Sequence, residues 1–385
     1  METMRKLVTV REISNILPIE NADNIEIAVI DGWSCIIKKD TFTVGDKALF
    51  FEIDSFIPAS DKRFDFLGES KQKVYLDEKG WRIRTQKLRG ALSQGLLLPL
   101  NTFPEITDLT KDDYSELLNV IKYDIEVANP TKRGSVKTGN PKGKLPSFLR
   151  KSDQPRLQNL MHYFSTYKEH EFEETLKLDG SNCSIYKNYI ELPWWKKATN
   201  YSCNILQLPT LYSTVAFGVC SRNLEIKRTD NQEITFNSSG KISTYKQSDF
   251  WEIAYKYSIE DKLPAGYAIQ GELIGPKIQS NHEKVKSLEF HIFDVWDINN
   301  QEYLLPSKRK TFVETHLKDV PHVPITADSI KVFSEFPDLD SFQERVTGQS
   351  INPKTISEGR TYKSTTIPGF SFKLISNKFL LKNEK

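Results

Sequence analysis

The chain changes rhythm partway along, and that change limits what it can fold into. Up to residue 105 it is a series of short segments rich in β-branched and aromatic residues: Lys6–Arg11, Ile25–Ile30, Trp33–Lys38, Lys47–Ile53, Trp81–Leu88 and Gly95–Leu100. Turn signals separate them, including Asp31-Gly32 and Val44-Gly45-Asp46, and no helical period intervenes. Short strands joined without helices predict a small barrel, with a small β-sandwich as the alternative.

Past that point the pattern loosens. Thr110 precedes a run in which Tyr114, Leu117, Leu118 and Ile121 share a helical face, so a trailing helix is expected. Pro130, Gly134, Gly139, Pro141 and Gly143 then have the chemistry of a linker, and Lys132, Arg133, Lys137, Lys142 and Lys144 make it basic. Such a segment is either solvated or a strap along a phosphate backbone. Ser152, Asp153 and Pro155, followed by Leu157, Leu160, Met161 and Phe164, predict a second helix. Beyond Glu171 strands alternate with a few helices. The expected organisation is a barrel domain with its trailing helix over 1–128, a basic linker over 129–147 and an α+β domain over 148–385. A chain of 385 residues is long enough for two such domains.

Net charge is only +2, so any surface for nucleic acid must be local. The apolar runs are strand-sized, which argues against a signal segment or a membrane span. Cys35, Cys183, Cys203 and Cys220 have no CxxC spacing, so zinc is not expected and a reducing compartment, cytoplasm or nucleus, is.

The chemistry lies in an ordered set of short motifs. Lys177-Leu178-Asp179-Gly180 comes first, within Glu174–Asn182, followed by Arg222 in Cys220–Asn223 and Glu272 in Gln270–Gly275. Phe293-Asp294, Glu358-Gly359 and Lys373 in Ser371–Leu374 complete the set. Taken singly, these residues would be a turn, surface charges and a core phenylalanine. In this order they resemble motifs I, Ia, III, IIIa, IV and V of the covalent nucleotidyltransferases: DNA ligases, RNA ligases and RNA capping enzymes. The resemblance implies an ATP-grasp-like α+β ligase domain in which Lys177 attacks the α-phosphorus of ATP. An amine nucleophile must be uncharged, and free lysine titrates near about 10.4, so the Lys177 pKa is expected to be depressed by burial and nearby positive charge. Lys373 would stabilise phosphate charge at every step. Asp179, Glu272 and Glu358 would hold Mg²⁺ or Mn²⁺, with Glu272 also a candidate for the ribose hydroxyls. Phe293 would stack on adenine, Arg222 would reach ribose or phosphate, and Gly180 would let the backbone approach the nucleotide. Glu174 and Leu176, flanking the nucleophile, join the expected ATP-binding set.

Further features narrow the resemblance. The segment Phe148–Asn159 is similar to one that nick-sealing RNA ligases place over the nucleotide phosphates, which implicates Arg156 and Lys151. Gly32-Trp33, Phe51–Ser55, Arg84-Thr85, Arg89-Gly90 and Ser93–Leu96 resemble the N-terminal OB domain of one RNA ligase clade. The clade implies RNA with 3′-hydroxyl and 5′-phosphate ends as partner, typically nicked duplex, and no membrane; it leaves protein partners open. A DNA ligase or capping-type enzyme is the nearest alternative, but only a short tail to Lys385 follows Lys373, where those enzymes carry another OB domain. A non-catalytic OB-fold RNA-binding protein is the alternative from another class. In motif V, Ile375 stands where many relatives have a second lysine, and the next lysine is Lys378. The stretch from Lys187 to Ala216 is longer than expected and includes Leu192-Pro193-Trp194-Trp195.

Overall fold

A computed structural model describes residues 5–124, 139–228 and 248–383, with strands Ile234–Phe236 and Ile242–Thr244 by backbone alone. Pro130, Lys132, Arg133, Gly134 and Lys137 of the expected linker lie outside the described residues.

The N-terminal strands form where β-branched and aromatic residues are densest. Val8–Glu12, Lys47–Glu52 and Gly95–Pro99 make one antiparallel sheet, and Asn15–Pro18, Ile25–Ile30 and Trp33–Lys38 a second. A third holds Ile121–Lys122, Ser55–Pro58, Glu78–Arg82 and Lys73–Tyr75. Alternate residues point inward to two apolar clusters, one around Phe51, Trp81 and Phe103, the other around Trp33, Phe50 and Leu97. The helix expected after Thr110 is not there. Its residues make a turn in which the Leu118 N–H donates to the Tyr114 carbonyl at 3.1 Å, and Ile121–Lys122 then joins the barrel as an edge strand. Packing of Tyr114 and Leu118 into the barrel core outweighs helical periodicity.

The rest of the chain builds two main antiparallel sheets, with Ile234–Phe236 and Ile242–Thr244 as a separate two-stranded pair. The larger has seven strands, in the order Pro141–Lys144, Leu224–Ile226, Val215–Ser221, Ser181–Tyr189, Tyr267–Ile274, Glu289–Asp297 and Glu302–Tyr303. Residues 141–144 of the expected linker are therefore an edge strand, paired with Leu224–Ile226. One face of this sheet packs on helices Asp249–Lys256, Ile259–Lys262 and Pro306–His316 through Phe250, Ile269, Ile292 and Val313. The smaller sheet runs Ile325–Ile330, Phe172–Lys177, Gly359–Ser364, Ser371–Ile375. Phe172, Tyr362 and Phe372 on one of its faces pack with Phe333 and Phe342 from helices Val332–Glu335 and Leu339–Val346.

The expected helix over residues 152–164 is likewise replaced. Residues 152–156 run extended: the Pro155 carbonyl accepts from the Lys373 N–H at 2.9 Å, and Arg156 bridges Lys373 in parallel. Only the turn Leu157–Asn159 and the short helix Tyr163–Thr166 follow. The barrel closes on this segment. Trp33 Nε1 donates to Asn159 Oδ1 at 3.0 Å, and Asn159 Nδ2 donates to Glu52 Oε2 at 3.1 Å. Gly32 lies so close that an added Cβ would sit 2.9 Å from Gln158 Cγ. The stretch between Tyr189 and Val215 contains helix Trp194–Ile205, whose Trp194 and Tyr201 are exposed while Cys203 is buried.

Candidate active site

Strand register brings the candidate residues together. Lys177 ends its strand directly opposite Gly359, and Thr175 and Thr361 lead on to Lys373 one strand further. Side chains alternate across a sheet, so Lys177, Thr361 and Lys373 share the face turned from the aromatic core. Glu358, just before its strand, reaches Lys177: Nζ donates to Oε2 at 2.6 Å. After Lys177 the chain turns through Asp179 and Gly180 into Ser181–Tyr189 of the large sheet, where Asn182 faces Glu272. Only glycine fits at the turn, since a Cβ on Gly180 would lie 2.4 Å from the Leu273 carbonyl oxygen.

The electrostatics are those of a site short of positive charge. Burial raises the Glu272 pKa to about 8, with Glu358 and Asp179 pushing the same way and Lys177 opposing. Burial and the Glu358 charge lift Asp179 to about 6. For Lys177, burial favours the neutral amine, but Glu358, Glu272 and Asp179 outweigh it and hold the ammonium above its ordinary pKa. The protein's own groups alone therefore favour the ammonium, and the expected depression, which draws on a bound divalent ion together with Lys373, falls to that ion. Three partly desolvated carboxylates around one lysine have the donor chemistry for a hard divalent cation. As placed, they do not converge, and among the described residues no group of three or more His, Cys, Asp or Glu is arranged to hold a metal ion.

A cationic rim faces the carboxylates. Burial, reinforced by Lys177, Arg156 and Arg222, lowers the Lys373 pKa to about 8 against the pull of Asp153. Arg156 stacks its guanidinium 5.6 Å from the centre of the Trp33 ring, and its buried Nη1 makes no hydrogen bond. An orphaned, always-charged donor beside Lys373 suits a phosphate oxygen. Arg222 reaches the same rim, with Nη2 2.6 Å from Asp153 Oδ2. Lys151, the other residue implicated with Arg156, lines a neighbouring cavity with Arg150 and Asp153.

Other expected members stand elsewhere. Glu174 points to the opposite face of its strand. It is fully buried, with Arg345 donating at 2.9 and 3.1 Å, Tyr362 at 2.9 Å and Thr326 at 2.5 Å. Its carboxylate has no capacity left for a nucleotide. Leu176 buries its side chain with Leu178, Ile274 and Val323. Phe293 packs half-buried on that cluster, beside the residues flanking Lys177. It is the extra residue of a β-bulge: Gln270 pairs with Asp294 and Gly271 with Ile292, leaving Phe293 unpaired. Ile375 is buried with Leu92, Phe379 and Leu380, so the C-terminal helix Asn377–Asn383 leans on the barrel, and Lys378 is exposed.

Two participants escaped sequence reasoning. Asp153 pairs with Lys122 of the barrel at 3.1 Å, with Arg222 at 2.6 Å and with Lys373 at 3.5 Å. Burial would raise its pKa, but those three cations hold it well below the usual carboxylate range. Lys363 is the second. The signal for it was parity, because residues 359, 361 and 363 of one strand share the Lys177 face.

The comparisons with known proteins agree with this geometry. Residues 7–100 match an OB-fold domain and residues 170–375 match the RNA ligase family. No curated relative matches by sequence. A lysine-to-alanine variant of Naegleria gruberi RNA ligase, solved with ATP and Mn, is 33% identical, with TM-score 0.75 over 98% of this chain and 99% of the other. A glutamate-to-alanine variant of that ligase with AMP and Mn gives the same values. The ligase with pyrophosphate is again 33% identical, with TM-score 0.74 over 98% and 99% of the two chains. With its ligase half and its barrel both accounted for, the chain belongs to the RNA ligase family and carries an OB-fold domain ahead of the ligase domain.

Proposed function

We propose that this RNA ligase uses ATP and Mg²⁺ or Mn²⁺ to seal 3′-hydroxyl and 5′-phosphate RNA ends, at nicks in a duplex, through an AMP adduct on Lys177. The observation that carries the reading is the 2.6 Å contact between Lys177 Nζ and Glu358 in a buried, carboxylate-rich cleft rimmed by Lys373 and Arg156. In the first step Nζ attacks the α-phosphorus of ATP, the bond to pyrophosphate breaks, and the lysine proton leaves by way of Glu358, its nearest acceptor. AMP then passes to the RNA 5′-phosphate, and the 3′-hydroxyl displaces it. Lys373, Arg156 and Arg222 neutralise phosphate oxygens throughout. Asp179, Glu272 and Glu358 are the candidate oxygen donors for the divalent ion, directly or through its waters, and the ion would supply the positive charge that lowers the Lys177 pKa and polarises the α-phosphate. ATP and Mn accompany the Naegleria ligase in its solved structures, which supports the same nucleotide and metal class here.

Incubation with α-labelled ATP and Mg²⁺ tests the reading. A labelled protein that releases AMP onto nicked RNA duplex is expected, and chelation of the metal should abolish labelling. Labelling from GTP instead would favour the capping-type alternative. Labelling without transfer to RNA would leave the adduct but refute the proposed substrate.

A further inference from the structure

Lys363 lies between the two sheets of the ligase domain, and its ammonium is committed to one short stretch of chain. Nζ donates to the main-chain carbonyl of Phe293, pairs with Asp294 at 2.8 Å and sits 5.4 Å from the centre of the Phe293 ring. The lysine and Asp294 are both buried, each side chain 8% exposed. All three contacts fall on the bulge, where Phe293 has no partner in the sheet and its orientation is not set by the ladder. Behind Lys363 the charge is braced. Glu173, directly across the strand pair, accepts from the fully buried Arg309 at 2.5 Å, and Arg309 Nε donates to His322 Nε2 at 2.9 Å. The His322 Nδ1–H is given to the Val323 carbonyl at 2.6 Å; burial and the Arg309 charge lower this ring to about 3, so it stays neutral and accepts from Arg309.

Buried ion pairs are poor stabilisers compared with apolar side chains of similar volume. What they supply is fixed geometry, and the residue so fixed is Phe293, the half-buried aromatic of the bulge beside the residues flanking Lys177. We propose that Lys363 is a positioning residue for the nucleotide base: by holding the carbonyl of Phe293 and the carboxylate of Asp294 at the bulge, it aims the Phe293 ring and so sets the affinity for ATP rather than the rate of the chemical step. The inference rests on the reading that Phe293 stacks on the base. Lys363 is not required to touch the nucleotide.

The test is single-turnover formation of the protein–AMP adduct across a range of ATP concentrations for the full chain, Lys363→Met, Phe293→Ala and the double variant. Loss of one aimed aromatic contact weakens binding by about tenfold. Phe293→Ala and Lys363→Met should each raise the half-saturating ATP concentration by about that factor and keep the maximal rate within about threefold of the parent. The double variant should be no worse than Phe293→Ala, because Lys363 acts through the ring it aims. Lys363→Arg, which keeps the donors and the charge, should restore affinity to within about threefold. A fall in maximal rate that persists in the Phe293→Ala background would place Lys363 on the phosphates and overturn the proposal, as would a half-saturation unchanged by Lys363→Met. Unchanged half-saturation in Phe293→Ala would instead overturn the stacking reading itself. Should Lys363→Met fail to fold, Asp294→Asn, which keeps the lysine and weakens its anchor, should shift half-saturation in the same direction; no shift in that variant overturns the proposal.

Discussion

The two faces of the smaller ligase sheet carry glutamates in opposite circumstances. On the core face, Glu174 is buried among donors: Arg345, Tyr362 and Thr326 together overcome the effect of burial and hold its pKa below the usual value. On the cleft face, Glu358 shares one lysine with Glu272 and Asp179, and burial pushes Glu272 up to about 8. The first arrangement is complete within the protein, and nothing added could improve it. The second is left with too many carboxylates for its cations, and a ligand bringing positive charge would relieve it. Satisfied charge marks architecture here, and unsatisfied charge marks the place where chemistry is expected.

The largest expected effect lies on the cleft face. Lys177→Ala should lose adduct formation by on the order of 10⁴-fold or more, since no other group can accept AMP. The same variant should still seal RNA supplied with a pre-adenylylated 5′ end, where the lysine has no covalent part. Lys373→Ala should fail on both substrates, because its charge serves every step. Full activity of Lys373→Ala on pre-adenylylated RNA would remove that residue from the site.

Exchanging the two glutamates for alanine sharpens the comparison. Glu174→Ala leaves the buried Tyr362 hydroxyl without its acceptor while the partly exposed Arg345 turns to solvent, and should cost about 1–3 kcal/mol of stability, read by denaturant unfolding. Its adduct yield per folded molecule should stay near that of the parent. Glu358→Ala should do the reverse, cutting adduct formation about 10²–10³-fold with little loss of stability. If the two variants behaved alike, the contrast between the faces would be wrong.

The smallest effect is one of pH. A carboxyl whose pKa is higher in the folded chain than in the unfolded one keeps its proton in the native state while the unfolded state has lost it. Native protein then binds more protons than unfolded protein from about pH 4.5 up to about 8, so the Glu272 contribution makes stability fall as pH rises through that window. The slope is at most about 1.4 kcal/mol per pH unit. Unfolding of the metal-free protein across this range, compared with Glu272→Gln, measures it; equal slopes in the two proteins would mean Glu272 is ionised throughout.

Much of the site was legible because it follows from chain order and strand parity. Lys177 and Lys373 lie on the two strands that flank Gly359–Ser364, and Glu358 immediately precedes that strand. Glu174 was misassigned for want of the same parity, which places it three residues from the nucleophile and so on the other face. The errors elsewhere come from long-range pairing. Residues 152–156 carry acceptable helix-start chemistry, yet their backbone bonds to Lys373, a partner more than 200 residues away that no local window contains. Pro141–Lys144 reads as linker by composition and is held as a strand by Leu224–Ile226. The ion pairs of Asp153 draw on the barrel and both ligase sheets, and only the assembled fold brings those cations together.

The bulge at Phe293 is also a phase slip. Before it, Phe290 and Ile292 supply the large apolar cluster from even positions; after it, Val295 supplies the same cluster from an odd one. The strand therefore counts one residue more than its partner, and the surplus residue is the aromatic one beside the nucleophile. Deleting Phe293 would leave a regular ladder in which Ile292 and Val295 still face the core with Asp294 between them on the other side, so only the aromatic would be lost. The sheet's packing does not need the extra residue, so what the bulge adds to this strand is the placement of Phe293 itself.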